Sequence, residues 1–307
     1  MTTDVLTAAP GAPSLLARAG RGRTLPVLTM LLAILVLWYV GTVLLNAQLQ
    51  IDQFERDGMA WTTTDLIAAT MRMERPILPA PHQVVVEMKQ TIFDLRPTSK
   101  RSLVYHSWVT LSSTLLGFAM GTAIGILLAA GIVHVPTLEK SLMPWIISSQ
   151  TIPILAIAPM VVVVLGAIGL TGLVPKAIIS TYLCFFPVAI GMVKGLRSPD
   201  VLQMDLMRTY SASRWQTLRL LRGPASVPFL FASLKVAVAI SLVGAIVGEL
   251  PTGAQAGLGA RLLTGSYYGQ TVQIWSALMT AAILAGAMVG CVGLIEKAVG
   301  RVMGGRP

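Results

Sequence analysis

Residues 197–231 read RSPDVLQMDLMRTYSASRWQTLRLLRGPASVPFLF, a basic stretch set between two apolar runs, 173–193 and 227–250. Ser198-Pro199-Asp200 predicts a helix start, with a hydroxyl cap, proline at the first helical position and an acid in the first turn. Leu202, Leu206 and Tyr210 then fall on one face at i, i+4 and i+8. Ser213 with Gln216 forms a capping box, so a second helix is expected to begin near Arg214. The picture is two short helices joined by a turn, with one apolar stripe facing outward. Around the stripe lie Lys194, Arg197, Arg208, Arg214, Arg219 and Arg222. A basic loop resting on a lipid surface fits the same periodicity. A DNA-reading helix-turn-helix does not, because the segment is pinned between two membrane-length apolar runs.

Composition supports that setting. Of 307 residues, 54% are hydrophobic and only 12% charged, and the mean hydropathy is +0.74. Soluble domains carry about 25% charged residues. This chain cannot cover its apolar surface with ionised groups, so most of it must face lipid or other apolar helices. Bulk disorder is excluded for the same reason. A disulfide scaffold is excluded because the only cysteines, Cys184 and Cys291, sit inside apolar runs as packing residues. The net charge is +10, but the basic residues gather beside apolar spans, as the positive-inside rule expects, and no nucleic-acid partner is implied.

Working outward, residues 1–24 read as a cytoplasmic tail ending in Arg18, Arg21 and Arg23. Residues 25–47 form an uncharged first transmembrane helix, too long and too poorly followed by small residues for a cleaved signal peptide. Residues 48–102 form an extracytoplasmic segment in which 81–93, with Val84, Val85, Met88 and Ile92, predicts an amphipathic helix at the membrane surface. A core over 103–298 holds five more spans: 103–133, 142–165, 173–193, 227–250 and 272–295. Pro144, Pro153 and Pro159 are expected to break the third. A cytoplasmic loop spans 194–226, and a short tail, 299–307, ends the chain. The fold class is therefore all-α and polytopic, with six transmembrane helices. With both termini inside, thirteen basic residues lie on the cytoplasmic side and nine outside. Arg96, Lys100 and Arg101 run against this bias, and the short loops favour it.

No phosphate-binding loop, nucleophile elbow or paired-histidine motif occurs, so no catalytic residue, metal ligand or cofactor is assigned to this chain. His82, His106 and His134 are far apart and read as interfacial polar residues. Ser148, Ser149, Gln150 and Thr151 lie between two prolines in the third span. Irregular backbone at that depth lines a cavity or is buried in protein, so these four are candidate pathway residues, Gln150 foremost. The alternative is that they satisfy the kinked backbone. Glu249, the only acid of the fifth span, is a gate candidate or an interfacial cap, and Lys235 is expected to snorkel inward. Gly117, Gly121 and Gly125 form a small-residue face on the second span, and Gly286 and Gly290 a shorter one on the sixth. Such faces allow close helix packing, within one subunit or across a dimer seam.

At residues 205–224 the chain resembles the integral-membrane permease subunits of bacterial ABC importers. Their signature is an acidic-Ala-Ala triplet, three residues, glycine, nine residues, then Ile-x-Leu-Pro. The spacing is kept as Asp205-Leu206-Met207, Ser211 and Leu221-Arg222-Gly223-Pro224, with Leu206, Met207, Ser211 and Gly223 departing in identity. Leu78-Pro79-Ala80-Pro81 with Val84, the run from Ile152 to Pro159, Gly248-Glu249-Leu250 and Gly257-Leu258-Gly259 resemble the nitrate/sulfonate/taurine branch. The resemblance implies a MetI-like type I importer permease fold. It also implies a coupling helix built from Leu202, Asp205, Leu206, Met207, Arg208, Tyr210 and Ser211, docking on a separate ATPase that holds ATP and Mg. Two ATPase copies, a second permease copy, an extracytoplasmic solute-binding protein and a bacterial inner-membrane location follow from it, with a sulfonate, taurine, nitrate or pyrimidine-type solute. A secondary transporter would need ion-coupling carboxylates in paired halves, and a membrane scaffold would need no polar pathway.

Overall fold

The computed structural model describes residues 24–251 and 256–304. The arginines of the N-terminal tail at 18, 21 and 23, and Arg306, lie outside the described residues. The helices are α1 (Thr24–Arg56), α2 (Thr63–Thr70), α3 (Pro81–Lys89), α4 (Leu103–His134), α5 (Pro136–Ser149) and α6 (Ile154–Ala167). They continue with α7 (Leu173–Leu196), α8 (Val201–Thr209), α9 (Arg214–Thr217), α10 (Gly223–Gly248), α11 (Leu258–Tyr267) and α12 (Thr271–Val302). Single π turns, Gln90–Asp94 and Leu218–Arg222, follow α3 and α9. Five helical segments are long and apolar enough to cross a membrane, and a sixth is counted if α5 and α6 form one broken span.

The chain divides into two units, Met1–Val84 and Val85–Pro307. In the first, α1 runs nine residues past the expected end at Ala47, to Arg56. The extension is polar yet stays helical because Gln48 donates to Asp52 (2.9 Å) and Arg56 folds back onto the Asp52 carbonyl (3.0 Å). Most apolar side chains of α1 are exposed, as a lipid-facing helix requires. One seam differs. Trp38, Thr42, Asn46 and Gln50 recur every four residues and are turned inward. Trp38 Nε1 donates to the Pro79 carbonyl (3.0 Å). Asn46 donates to the Leu78 carbonyl (2.9 Å) and accepts from the Ile77 amide (2.7 Å). The irregular residues 77–79 thus satisfy their backbone on side chains of α1, since they have no helix or ladder of their own.

In the second unit, α4, α7 and α10 form the centre. Gly117, Gly121 and Gly125 of α4 lie directly on α7: an added Cβ would come within 2.4 Å of Ser180 Cβ, 2.5 Å of Cys184 Sγ and 2.8 Å of Val188 Cβ respectively. This glycine face is therefore filled within one subunit and is closed to a dimer seam. Gly286 and Gly290 have no atom within 4 Å of such a Cβ. A second small-residue seam joins α7 to α10. Cβ atoms on Gly191 and Gly244 would meet Ser233 at 2.6 Å and the Ser180 backbone at 2.8 Å. Thr181 donates to the Gly117 carbonyl (3.2 Å), and Ser180 and Ser241 bond to each other. Two apolar clusters flank these seams, one around Val188, Met192 and Leu196, the other around Phe231, Val238 and Leu242.

The third apolar run departs most from expectation. It is two helices, α5 and α6, bent by 98°. Pro144 and Pro159 are accommodated inside the helices, and the break falls at 150–153. Pro153 caps α6 and its predecessor Ile152 lies outside both helices, whereas Met143 and Ala158 stay helical ahead of Pro144 and Pro159, so the turn falls at Pro153.

Candidate functional site

The segment after α7 carries the first candidate site. The α8 cap is Asp200, whose N–H donates to Gln203 Oε1 at 3.1 Å, and not Ser198. The Ser198 hydroxyl instead donates to the Gly195 carbonyl (2.8 Å), closing the end of α7. With its hydroxyl committed to the end of α7, Ser198 is not free to cap α8, and Asp200 takes that place. At the far end, Ser211 N–H donates to the Arg208 carbonyl (2.8 Å) and Ala212 N–H to the Met207 carbonyl (2.9 Å), a Schellman closure. Ser211 has φ +51°, the only positive value outside glycine among the described residues. It stands where the importer signature has glycine, and the backbone shows why glycine suits that place. The Ser213–Gln216 box forms, with bonds of 2.8 and 3.2 Å, and starts α9.

Capped at both ends, α8 buries none of its residues. Leu202, Leu206 and Tyr210 are 81%, 55% and 77% exposed, and Met207 is half-buried. Asp205 and Arg208 pair with each other along the helix (3.0 Å). Trp215 and Leu220 add exposed apolar surface beyond the turn. A short helix that exposes its apolar stripe is held in shape by its caps, not by burial.

The residues expected along a pathway do not share one cavity. Ser148, Gln150 and Thr151 are exposed at the α5–α6 break. Ser149 donates to the Ile146 carbonyl (2.7 Å), Thr151 to the Ser148 carbonyl (2.8 Å), and Gln150 to Ser149 (3.3 Å). The Tyr182 hydroxyl donates to the Ser149 carbonyl from α7, a partner that spacing could not reveal.

Glu249 is fully buried. Its carboxylate accepts from the Thr110 hydroxyl (3.0 Å), the Gly259 amide (2.8 Å) and the Lys176 ammonium (3.4 Å). Around it, Lys176 donates to the Ala256 carbonyl (2.9 Å), Leu258 N–H to Thr110 (2.8 Å), and Gly257 N–H to His106 Nδ1 (3.0 Å). This hub ties α4, α7 and α10 to the chain at 256–259. Gly257 has φ +125°, and a Cβ there would fall 2.1 Å from the Glu249 carboxyl carbon, so only glycine fits. Thr110, Lys176 and His106 carried no sequence signal for this role, since His106 and Thr110 lie in one apolar span, Lys176 in another, and their partners at 249 and 256–258 are far away in sequence.

Beside the hub is a cavity of about 840 Å³ between α4, α6 and α7. Tyr105, Trp108 and Ser112 line it from α4, Val162 and Gly166 from α6, and Thr171 and Lys176 from the start of α7 and the turn before it.

Residues 121–301 match the family model described as the binding-protein-dependent transport system inner membrane component. The riboflavin transport system permease protein of Chloroflexus aurantiacus is 32% identical over 221 residues, 72% of this chain and 78% of that protein. The formylaminopyrimidine transport permease protein of Halalkalibacterium halodurans is 30% identical over 196 residues, 63% of this chain and 72% of its own length. Among solved structures, an inward-facing MetNI methionine ABC transporter superposes with a TM-score of 0.53 at 20% identity, over 64% of this chain and 95% of the other. With a family match over more than half its length, a shared fold and the importer signature on an exposed capped helix, this chain belongs to the inner-membrane components of binding-protein-dependent transport systems.

Proposed function

We propose that the chain is the permease subunit of an ATP-driven importer, conducting a small solute delivered by an extracytoplasmic binding protein. It acts as one of two permease copies on two ATPase subunits that hold ATP and Mg, with both termini of the chain in the cytoplasm. The observation that carries this reading is α8: a doubly capped helix with no buried residue, presenting Leu202, Leu206 and Tyr210 at the basic end of the bundle. On this reading the stripe enters a groove on the ATPase, and nucleotide-driven closure of the ATPase pair moves α8, which is joined by Ser198 and Arg197 to the end of α7. Arg197 also reaches Glu139 at the start of α5 (2.7 Å), linking the docking loop to the broken span. A secondary transporter is less well supported, because Glu249, the one buried acid among the described residues, is already paired with Lys176.

The test is ATPase co-purification beside solute uptake, at equal permease levels. Desolvated apolar anchors contribute about 2 kcal/mol or more each, roughly thirtyfold in affinity. Leu206→Asp is expected to abolish both readouts, since it would bury a charge without a partner. Arg208→Ala, at the rim and bonded within its own helix, is expected to reduce them only slightly. Retention of both by Leu206→Asp would remove α8 as the docking element.

A further inference from the structure

The cavity between α4, α6 and α7 has one formal charge in its wall, the Lys176 ammonium, and that charge is already engaged. Its Nζ lies 3.4 Å from Glu249 Oε1 and donates to the Ala256 carbonyl at 2.9 Å, and only 9% of the side chain is exposed. A small anion entering here would give up hydration and meet no free cation, a loss that apolar walls cannot offset.

What the wall does offer is aromatic surface with uncommitted polar edges. Tyr105 and Trp108 sit one turn apart on α4, and Trp108 is 67% exposed. The Tyr105 hydroxyl, the Trp108 Nε1–H and the Thr171 hydroxyl have no hydrogen-bond partner among the described residues. Val162 and Gly166 of α6 add apolar wall to the cavity. A volume of about 840 Å³ lies within the ~300–1,000 Å³ usual for small-molecule sites.

Resting on the reading that this chain conducts a solute, we propose that the cavity is a solute subsite for an uncharged planar heteroaromatic compound, stacked on Trp108 and Tyr105 and hydrogen-bonded at its edge. Ring faces stack on indole and phenol regardless of substituent pattern, while the three free polar groups meet ring nitrogens and carbonyls. The Glu249–Lys176 pair keeps the wall neutral, so the site prefers such a solute over a sulfonate, taurine or nitrate.

The experiment uses the full chain with its ATPase in lipid nanodiscs. Riboflavin, followed by its own fluorescence, and an uncharged aminopyrimidine, followed by competition, serve as aromatic probes, with ethanesulfonate as the anionic one. Saturable binding of at least one aromatic probe, undisturbed by excess ethanesulfonate, is expected. Trp108→Ala should weaken it about tenfold, whereas Trp108→Phe, which keeps a ring, should stay within roughly threefold. Trp108 is too exposed for either change to unfold the bundle. Absence of saturable binding by both aromatic probes, displacement by ethanesulfonate, or indifference to Trp108→Ala would each overturn the proposal. ATPase retained in the same nanodiscs would then show that the solute class alone had failed.

Discussion

Removing the carboxylate of Glu249 should cost the protein more than any other single polar truncation. Three donors converge on it: the Thr110 hydroxyl, the Gly259 amide and the Lys176 ammonium. In Glu249→Ala, Lys176 keeps the Ala256 carbonyl but loses its counter-charge while remaining 7% exposed. Breaking a buried ion pair from one side costs about 3–5 kcal/mol. At ~2–4 °C per kcal/mol for a chain of this size, the midpoint for thermal loss of the monodisperse species should fall by roughly 6–20 °C. Replacing both partners, Lys176→Met with Glu249→Gln, removes the orphaned charge, and at least half of the loss should return. Heating in detergent followed by size-exclusion chromatography measures both. If Glu249→Ala melts within about 2 °C of the parent, or if the double variant is no better than the single, the hub does not hold the 256–259 segment as argued.

Ser211→Gly should relieve the left-handed backbone at the end of α8 by about 1 kcal/mol, slowing hydrogen exchange at the Ala212 amide roughly fivefold; faster exchange would contradict the closure described. Gly121→Ala should sharply lower the yield of folded protein, because its Cβ would meet Cys184 Sγ at 2.5 Å, and Cys184→Ala should restore part of it. Gly290→Ala, with nothing within 4 Å, should be neutral, and a loss there as large as at Gly121 would count against the packing argument. A cysteine placed at Ser213 should react only with reagent on the cytoplasmic side and one at Gln53 only from outside; the reverse would invert the topology.

Much of this architecture is readable in the chain because membrane spans are set by apolar length and short helices by their caps. The run at 103–133 becomes α4, and Ser213 with Gln216 opens α9, since both signals are local. What stayed hidden is long-range pairing between polar residues scattered through apolar runs. Asn46 reaches Leu78, and Lys176 reaches Glu249, 73 residues away, because burial forces each to find a partner that spacing does not mark. Trp38, Thr42, Asn46 and Gln50 do keep a four-residue period, a polar seam that the apolar composition of the run masks. The α5–α6 break was half legible: three prolines marked the region, but only Pro153 follows a residue that the fold leaves out of the helix. The cap of α8 follows a related rule, since Ser198 and Asp200 both suit a helix start and only the end of α7 decides which is free.

The central claim is that the apolar stripe of α8 inserts into the ATPase. Photo-crosslinking from single positions in the assembled complex tests it most directly. A photoreactive phenylalanine analogue at Leu202 or at Tyr210, 81% and 77% exposed, should yield adducts with the ATPase. The same group at Tyr267 on α11, equally exposed at 76%, should yield none. Failure of both α8 positions to capture the ATPase, or equal capture from Tyr267, would contradict the account.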